Sequence, residues 1–209
     1  MSDKRDLIVV DCETTGLDVE KHWVLEVAAV NVSTGDELYF VPALPQGALD
    51  EADGKALKIN GYFERDVYAH RLDTEAANKY WRLLWEWLDG NTLAGSNPTF
   101  DAAMLNRSAA WSTYTTGTPR YGETQLEPLK PSPWHHRLAD LSAYAAGALH
   151  IPPTELPGLE AVCDALHITN DMPHAALADA QVTAECFRQL AAKADDRLAP
   201  VAPSKATAK

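Results

Sequence analysis

Apolar runs of strand length alternate with longer amphipathic segments along most of the chain. Residues 7–10 form an apolar run typical of a strand buried on both faces. Residues 23–30 and 37–41 predict two further strands, and the turn at residues 33–36 predicts that they form a hairpin. The first part of the chain is therefore predicted to be a central strand followed by a hairpin.

The remaining pattern predicts mainly helices. An amphipathic helix is predicted over residues 73–88, with Asp73 or Thr74 as its N-cap. Its Tyr80, Leu84 and Leu88 are expected to face the core, flanked by tryptophans that pack rather than stack on bases. The further predicted elements are strands at 92–95 and near 135–138, and helices at about 99–111, 141–149, 159–166 and from Pro173 to about 194.

These elements predict a single α/β domain over residues 1–197, with no internal repeat and no second domain. The Ala/Pro/Lys-rich residues 198–209 are predicted to be a disordered tail. Residues 112–134 are rich in Pro, Gly, Thr and Tyr, and form a long connection for a compact domain. We expect this connection to be functional or mobile.

Composition narrows the classes of protein. The chain has 209 residues, a net charge of −12 and a pI near 4.9. This acidic balance argues against non-specific binding of duplex DNA, which depends on many Lys and Arg contacts to phosphates. Local binding of a short strand through metal ions remains open. No apolar run could span a membrane, and the N-terminal MSDKRD does not resemble a signal peptide. Three scattered cysteines predict reduced thiols and, with these features, a cytoplasmic protein.

Candidate chemistry begins in VVDCETTGL, residues 9–17. Asp11 and Glu13 are two residues apart at the end of the first strand, so both side chains should point to the same face. Two adjacent carboxylates repel, and require either a cation or a proton on one of them. Alternatively, both face water in a loop. The following Thr-Thr-Gly predicts a tight turn with free backbone N–H groups.

Three further residues could join this pair. Asp101 is in the first turn of a predicted helix, where it could also simply complement the helix dipole. Asp179 is in the second turn of the last helix. His174 lies five residues earlier, and positions five apart in a helix differ in direction by roughly 140°. His174 therefore reaches the same site as Asp179 only if it belongs to the preceding loop; otherwise it is a surface histidine.

Taken together, Asp11, Glu13, Asp101 and Asp179 all lie near the ends of predicted elements, where sites in open α/β sheets form. Four carboxylates suit hard divalent cations such as Mg²⁺ or Mn²⁺. Two such ions can activate a water and stabilise the leaving oxygen in phosphoryl transfer. An imidazole such as that of His174 can accept the proton of the water at neutral pH.

The motifs DCETTGL, NPTFD and HAALAD, in this order, resemble the three exonuclease motifs of the DEDDh branch of the DnaQ-like superfamily. The resemblance covers about residues 7–190. It implies an RNase H-like fold with a five-stranded mixed sheet flanked by helices. It also implies that two Mg²⁺ or Mn²⁺ ions are held by the four carboxylates, with His174 as the general base. The sister branch has a tyrosine where this chain has Ala175. The residues implied to bind the terminal nucleotide are Thr14, Thr15, Leu17, Asn97 and Phe100.

The implied activity is 3′–5′ exonucleolytic hydrolysis of single-stranded DNA, which releases nucleoside 5′-monophosphates, in DNA replication or repair. The alternatives are RNA trimming of the RNase T or oligoribonuclease type, a proofreading subunit bound to a polymerase, and an inactive binding module. A homodimer is a further expectation left open. The chain departs from the family at Ser96, where many relatives have a histidine, and at Asp140-Leu141, where many have Asp-Thr. Asp140 itself is expected to cap a helix. Trp134, in the basic segment 130–137, either stacks on the incoming strand or belongs to an ordinary solvated loop.

Overall fold

The computed structural model describes residues 5–115 and 129–198 of the chain. Its strands are β1 (Leu7–Thr14), β2 (Val24–Asn31), β3 (Glu37–Phe40), β4 (Thr92–Gly95) and β5 (Ala139–Asp140). Its α-helices are α1 (Gly54–Ile59), α2 (Thr74–Leu88), α3 (Pro98–Thr115), α4 (Leu141–Leu149), α5 (Leu159–Leu166) and α6 (Ala176–Leu198). A short 3₁₀ helix spans Val67–His70.

The strands form one five-stranded mixed sheet in the order β3-β2-β1-β4-β5. The central strand β1 pairs antiparallel with β2 and parallel with β4. Its Ile8, Val9 and Val10 are at most 1% exposed. A strand covered on both faces needs apolar side chains on both faces, which is why the run does not alternate with polar residues. The prediction of a five-stranded mixed sheet flanked by helices is confirmed.

Helices cover both faces of the sheet and form one core on each face. Side chains of β1 alternate between these two cores, because successive residues of a strand point to opposite faces. Ile8 and Val10 belong to the cluster that includes Trp81 of α2 and Met104 of α3. Val9 belongs to the cluster formed with α4, α5 and α6, which includes Leu190. Asp11 follows the alternation of Val9, and Cys12 follows that of Val10. Cys12 packs in the first cluster, so Asp11 and Glu13 lie on the side of the sheet that carries α6.

The aromatic residues of α2 serve packing. Trp81 and Trp85 are 0% and 5% exposed, whereas Tyr80 is 38% exposed and lies at the edge of the core face. The prediction that Tyr80 faces the core is therefore wrong, although the helix and its Asp73 N-cap are confirmed. Trp134 is buried as well and packs edge-on against Trp85, 6.1 Å away. Trp134 thus belongs to the core and offers no exposed ring for base stacking.

Several boundaries differ from prediction. The fifth strand is Ala139–Asp140 rather than residues 135–138, because backbone groups of Pro133 and His135 bond to Gly90 and Asn91 instead of to β4. Helix α3 continues to Thr115, beyond the predicted end at Trp111. Residues 116–128 of the predicted long connection and the predicted tail beyond Leu198 lie outside the described residues.

Three smaller predictions can also be compared with the structure. Asp140 caps α4, as expected, by accepting a hydrogen bond of 3.2 Å from the Ala143 N–H. Cys12, Cys163 and Cys186 are buried and free of disulfide bonds. Within residues 5–115 and 129–198, no helix combines the length and apolar character that crossing a membrane requires.

Candidate metal-binding and active site

The first motif lies at the carboxyl end of β1. Asp11 and Glu13 stand opposite Ala28 and Glu26 of β2, and the pairing register shifts directly after Glu13. Side chains two residues apart on a strand share a face, so the two carboxylates project together toward α6. Both are partly buried, which rules out the alternative of a solvated loop.

The turn that follows β1 is held by its own hydroxyl groups. The Thr14 hydroxyl donates to the Gly16 carbonyl at 2.8 Å, and the Thr15 hydroxyl oxygen accepts from the Trp23 N–H at 3.0 Å. These two side chains are 6% and 0% exposed. In this conformation Thr14 and Thr15 therefore shape the turn and present almost no side-chain surface to a nucleotide. Leu17 is different, because its side chain is 81% exposed.

Asp101 reaches the same strand end from α3. Its Oδ1 accepts a hydrogen bond of 3.0 Å from the Cys12 N–H, and the residue is 5% exposed. Strands β4 and β1 approach each other closely here because β4 ends in Gly95, where a Cβ would lie 2.9 Å from the Val10 carbonyl oxygen. Asn97, in the intervening turn, adopts a left-handed backbone conformation and is exposed, whereas Phe100 is partly buried against the core of α2 and α3.

The third motif approaches from α6. This helix begins at Ala176 rather than at Pro173, so His174 lies in the preceding loop, with φ of 61°. Oδ2 of Asp179 accepts a hydrogen bond of 3.1 Å from the His174 N–H, and Asn170 donates to Oδ1 at 2.6 Å. The loop conformation is the one that allows His174 and Asp179 to face one site.

The predicted residues converge as follows. Ligand atoms of Glu13, His174 and Asp179 lie within 4.8 Å of one another. Asp11 adjoins this group, since its carboxylate is repelled by Asp101, Glu13 and Asp179. Asp101 contacts the backbone between Asp11 and Glu13. The four carboxylates and the imidazole thus share one end of β1. Leu17 and Asn97 lie on the turns after β1 and β4, and Phe100 lies in the first turn of α3.

Burial and mutual repulsion perturb these carboxylates. Burial, followed by the charges of Asp101 and Glu13, raises the pKa of Asp11 well above its ordinary value. Burial, followed by the charge of Asp179, raises the pKa of Glu13 to about 8. Burial raises the pKa of Asp101 to about 7, although the Cys12 N–H lowers it in part. Such shifts are expected where anions are crowded without a compensating cation.

One acidic residue near the site was not predicted as part of it. Glu26 is 1% exposed and directly opposite Glu13, and its carboxylate forms an ion pair with Arg65 and accepts from the Tyr39 hydroxyl at 2.7 Å. Its negative charge contributes to the raised pKa of Glu13, and the charge of Arg65 opposes that effect. The signal in the sequence was a glutamate within the apolar run of the second strand.

Arg65 also connects this ion pair to the turn after β1. Its Nε donates to the Asn60 carbonyl at 2.8 Å, and the Asn60 side-chain amide donates to the Thr14 carbonyl at 3.1 Å. Asn60 is 3% exposed. The segment after α1 is therefore fastened to β1 and β2 beside the carboxylates.

The donor set fits a divalent metal. Carboxylate oxygens are the ligands that Mg²⁺ and Mn²⁺ prefer, and an imidazole is also an acceptable neighbour. Burial raises the pKa values of Asp11, Glu13 and Asp101, and a cation would offset the repulsion that adds to this effect at Asp11 and Glu13. A cleft of about 560 Å³ opens beside His174 and Asp179, and its other walls include Asn170, Cys163 and Leu159. The site is thus an acidic, partly buried cluster that is open to solvent on the side of His174.

The structure thus combines a five-stranded mixed sheet with four carboxylates and a histidine at one end of its central strand. The family model for exonucleases of the RNase T type matches residues 8–187. The chain therefore belongs to this exonuclease family, within the DnaQ-like superfamily, and the predicted membership is confirmed.

Solved structures agree with the fold. Escherichia coli exonuclease I in complex with a dT13 oligonucleotide has a TM-score of 0.65 and 17% identity, over 93% of this chain and 43% of the other. The zinc-bound complex of E. coli exonuclease I with ssDNA has a TM-score of 0.66 and 20% identity, over 94% of this chain and 42% of the other. Exonuclease I from Methylocaldum szegediense has a TM-score of 0.63 and 20% identity, over 93% of this chain and 42% of the other. These likenesses confirm the RNase H-like fold.

The chain spans less than half of the length of these exonuclease I chains, with coverage of 42% to 43% in the three structures. Comparison with curated proteins gives no match. Substrate, direction and metal content are therefore matters of proposal.

Proposed function

We propose that the chain is a metal-dependent 3′–5′ exonuclease that hydrolyses the terminal phosphodiester of single-stranded DNA and releases nucleoside 5′-monophosphates. The observation that carries this proposal is the convergence of Asp11, Glu13, Asp101 and Asp179 with His174 at one end of β1. Membership of the exonuclease family supports the same chemistry.

In this proposal the four carboxylates hold two divalent cations, Mg²⁺ or Mn²⁺. Such a pair, when bound, supplies a water of lowered pKa and charge compensation for the leaving oxygen. His174 accepts the proton of the attacking water, and its exposed loop position leaves the imidazole free to pass that proton to solvent. The hydrogen bond from its own backbone N–H to Asp179 holds this loop against the metal ligands.

The terminal nucleotide is proposed to lie over the turns that border the cluster. Leu17 offers an exposed apolar side chain for its base, with Phe100 and the polar Asn97 nearby. Thr14 and Thr15 contribute by fixing the turn that carries Leu17. A single strand suits the net charge of −12, since binding through a few local contacts avoids an extended basic surface.

DNA is favoured because complexes of E. coli exonuclease I with the oligonucleotides dT13 and dA16 share this fold. RNA trimming is the second candidate, because the matching family model is named after RNase T. The two candidates share their catalytic residues and differ only in tolerance of the 2′-hydroxyl group.

The proposal is tested with matched single-stranded DNA and RNA labelled at the 5′ end, in Mg²⁺, Mn²⁺ or EDTA. We expect a ladder of shortened DNA in either metal, none in EDTA, and none with the isosteric Asp11→Asn variant. Asp36→Asn is the matched control and should cut like the wild type, because Asp36 is exposed in the turn between β2 and β3, at the end of β2 that pairs with the start of β1.

Three other results would each change a different part of the proposal. Release of the label as a mononucleotide before any ladder forms would reverse the proposed direction. A ladder on RNA alone would replace DNA by RNA as the substrate. Absence of metal-dependent cleavage on both nucleic acids would overturn the proposed activity.

A further inference from the structure

Asn170 contacts the carboxylate of Asp179 directly. Its Nδ2 donates to Oδ1 at 2.6 Å, while the second oxygen, Oδ2, accepts from the His174 N–H at 3.1 Å. Each oxygen of Asp179 therefore has one hydrogen bond from the protein. A carboxylate oxygen accepts from more than one direction, so both oxygens keep capacity for a cation.

The amide oxygen of Asn170 bonds to the backbone of the loop that precedes α6. Its Oδ1 accepts from the Met172 N–H at 3.2 Å. The orientation of this amide is fixed chemically, because a carboxylate only accepts and a backbone N–H only donates. Asn170 therefore connects the loop that precedes α6 to the side chain of Asp179, and no other orientation of the amide satisfies both partners.

The conformation of the loop requires such support. His174 has φ of 61°, in the left-handed region that most residues other than glycine adopt only rarely. Its backbone N–H bonds to Asp179, whose carboxylate is in turn oriented by Asn170. The position of the imidazole and the orientation of the carboxylate thus depend on the same amide.

We propose that Asn170 is a positioning residue, which orients Asp179 for a divalent cation and keeps His174 beside Glu13 and Asp179. The proposal rests on the proposed function, and adds to it a residue that none of the three motifs contains. Groups that orient metal ligands in this way typically change metal affinity or activity by about 10- to 100-fold when they are lost.

Two substitutions separate orientation from simple space filling. Asn170→Ala removes both hydrogen bonds. Asn170→Asp preserves the shape and the acceptor for the Met172 N–H, but replaces the donor to Asp179 by a second carboxylate. If the hydrogen bond from Asn170 to Asp179 matters, both variants bind Mn²⁺ more weakly and turn over more slowly. If only the volume of the side chain matters, Asn170→Asp resembles the wild type in both properties.

Asn106→Ala is the matched control. Asn106 also fastens a loop with both halves of its amide, since it donates to the Ser132 hydroxyl at 3.0 Å and accepts from the Ser132 N–H at 2.9 Å. Neither residue contacts the carboxylate cluster. Its loss should leave cation binding and turnover unchanged.

Binding of Mn²⁺ alone is measured by titration calorimetry, and kcat and KM are measured at saturating Mn²⁺ on the single strand that the wild type cleaves. We expect both Asn170 variants to weaken Mn²⁺ binding by about 10-fold or more, and to lower kcat similarly with KM within about twofold. An Asn170→Asp variant with wild-type Mn²⁺ affinity and kcat would overturn the inference. A wild type that binds Mn²⁺ but cleaves neither DNA nor RNA would overturn the proposed function instead, and calorimetry would still decide the role of Asn170.

Discussion

Glu13 of β1 and Glu26 of β2 stand directly opposite each other in the antiparallel register, and Arg65 forms an ion pair with Glu26. Directly opposed like charges destabilise a sheet. The Arg65 guanidinium compensates the charge of Glu26, so that Glu13 remains available for a cation. Of this opposed pair, Glu13 therefore faces the carboxylate cluster, whereas the charge of Glu26 is compensated by the protein itself.

Arg65→Met should destabilise the protein strongly, because it leaves the buried Glu26 without its partner. Loss of one member of a buried ion pair typically costs about 3–5 kcal/mol. The free energy of unfolding is measured by urea denaturation in EDTA. The double variant Glu26→Gln/Arg65→Met should recover part of the loss, because no unpaired charge then remains.

Arg188→Met is the control for this prediction. Arg188 also donates its Nε to a backbone carbonyl, that of Val32, and pairs with Glu185, but its side chain is 38% exposed. A much smaller loss, about 1 kcal/mol or less, is expected there. Equal losses for Arg65→Met and Arg188→Met would contradict a special role for the pair beside Glu13.

The metal-free protein should lose stability as the pH rises. Glu13 and Asp101 have ordinary pKa values of 4.5 and 3.8, which the fold raises to about 8 and about 7. The folded state therefore binds these protons more tightly than the unfolded state. The resulting stabilisation is present below the ordinary values and is lost as the pH passes through 7 and 8.

The test compares the wild type with Glu13→Gln in EDTA between about pH 5.5 and 8.5. The variant should gain stability relative to the wild type as the pH rises, with a limiting slope of about 1.4 kcal/mol per pH unit. Mg²⁺ should raise the Tm of the wild type more at the high end of this range. A difference between the two proteins that does not change with pH would contradict the raised pKa of Glu13.

The sequence predicted much of this site because its signals were local. Asp11 and Glu13 share a face through the two-residue repeat of a strand, and the apolar run before them identified that strand. The placement of His174 was conditional, because it depended on where the last helix begins. The structure places that start at Ala176, where the left-handed conformation of His174 and its bond to Asp179 precede the helix.

Other features depend on contacts that no local pattern encodes. The fifth strand has only two residues, and its position follows from pairing of Ala139 and Asp140 with β4. Glu26 gave a visible signal in an apolar strand, but its partner Arg65 is 39 residues away. Trp134 resembled a surface aromatic in a Pro-rich segment, whereas packing against Trp85 buries it.

Gly95→Ala should destabilise the junction between β1 and β4. A Cβ at this position would lie 2.9 Å from the Val10 carbonyl oxygen, a backbone atom of the central strand, so one strand would have to move. We expect a loss of about 1–3 kcal/mol, measured by urea denaturation. Gly147→Ala in α4 has no heavy atom within 4 Å of the new Cβ and should stabilise the protein by about 0.5–1 kcal/mol. A stabilising Gly95→Ala would show that the two strands do not approach so closely.

His174→Asn should abolish most turnover while preserving the loop. Asparagine tolerates the left-handed conformation of this position, so the substitution removes the imidazole without adding backbone strain. Loss of a general base typically lowers kcat by about 10²- to 10⁴-fold. His167→Asn, at the end of α5 with φ of 58°, is the matched control and should retain wild-type kcat. Because a ring nitrogen of His174 lies within 4.8 Å of carboxylate oxygens of Glu13 and Asp179, close enough for all three to share one cation, Mn²⁺ binding must be measured in parallel. A general base predicts nearly unchanged Mn²⁺ affinity, whereas weakened affinity with kcat restored at high Mn²⁺ would identify His174 as a metal ligand instead.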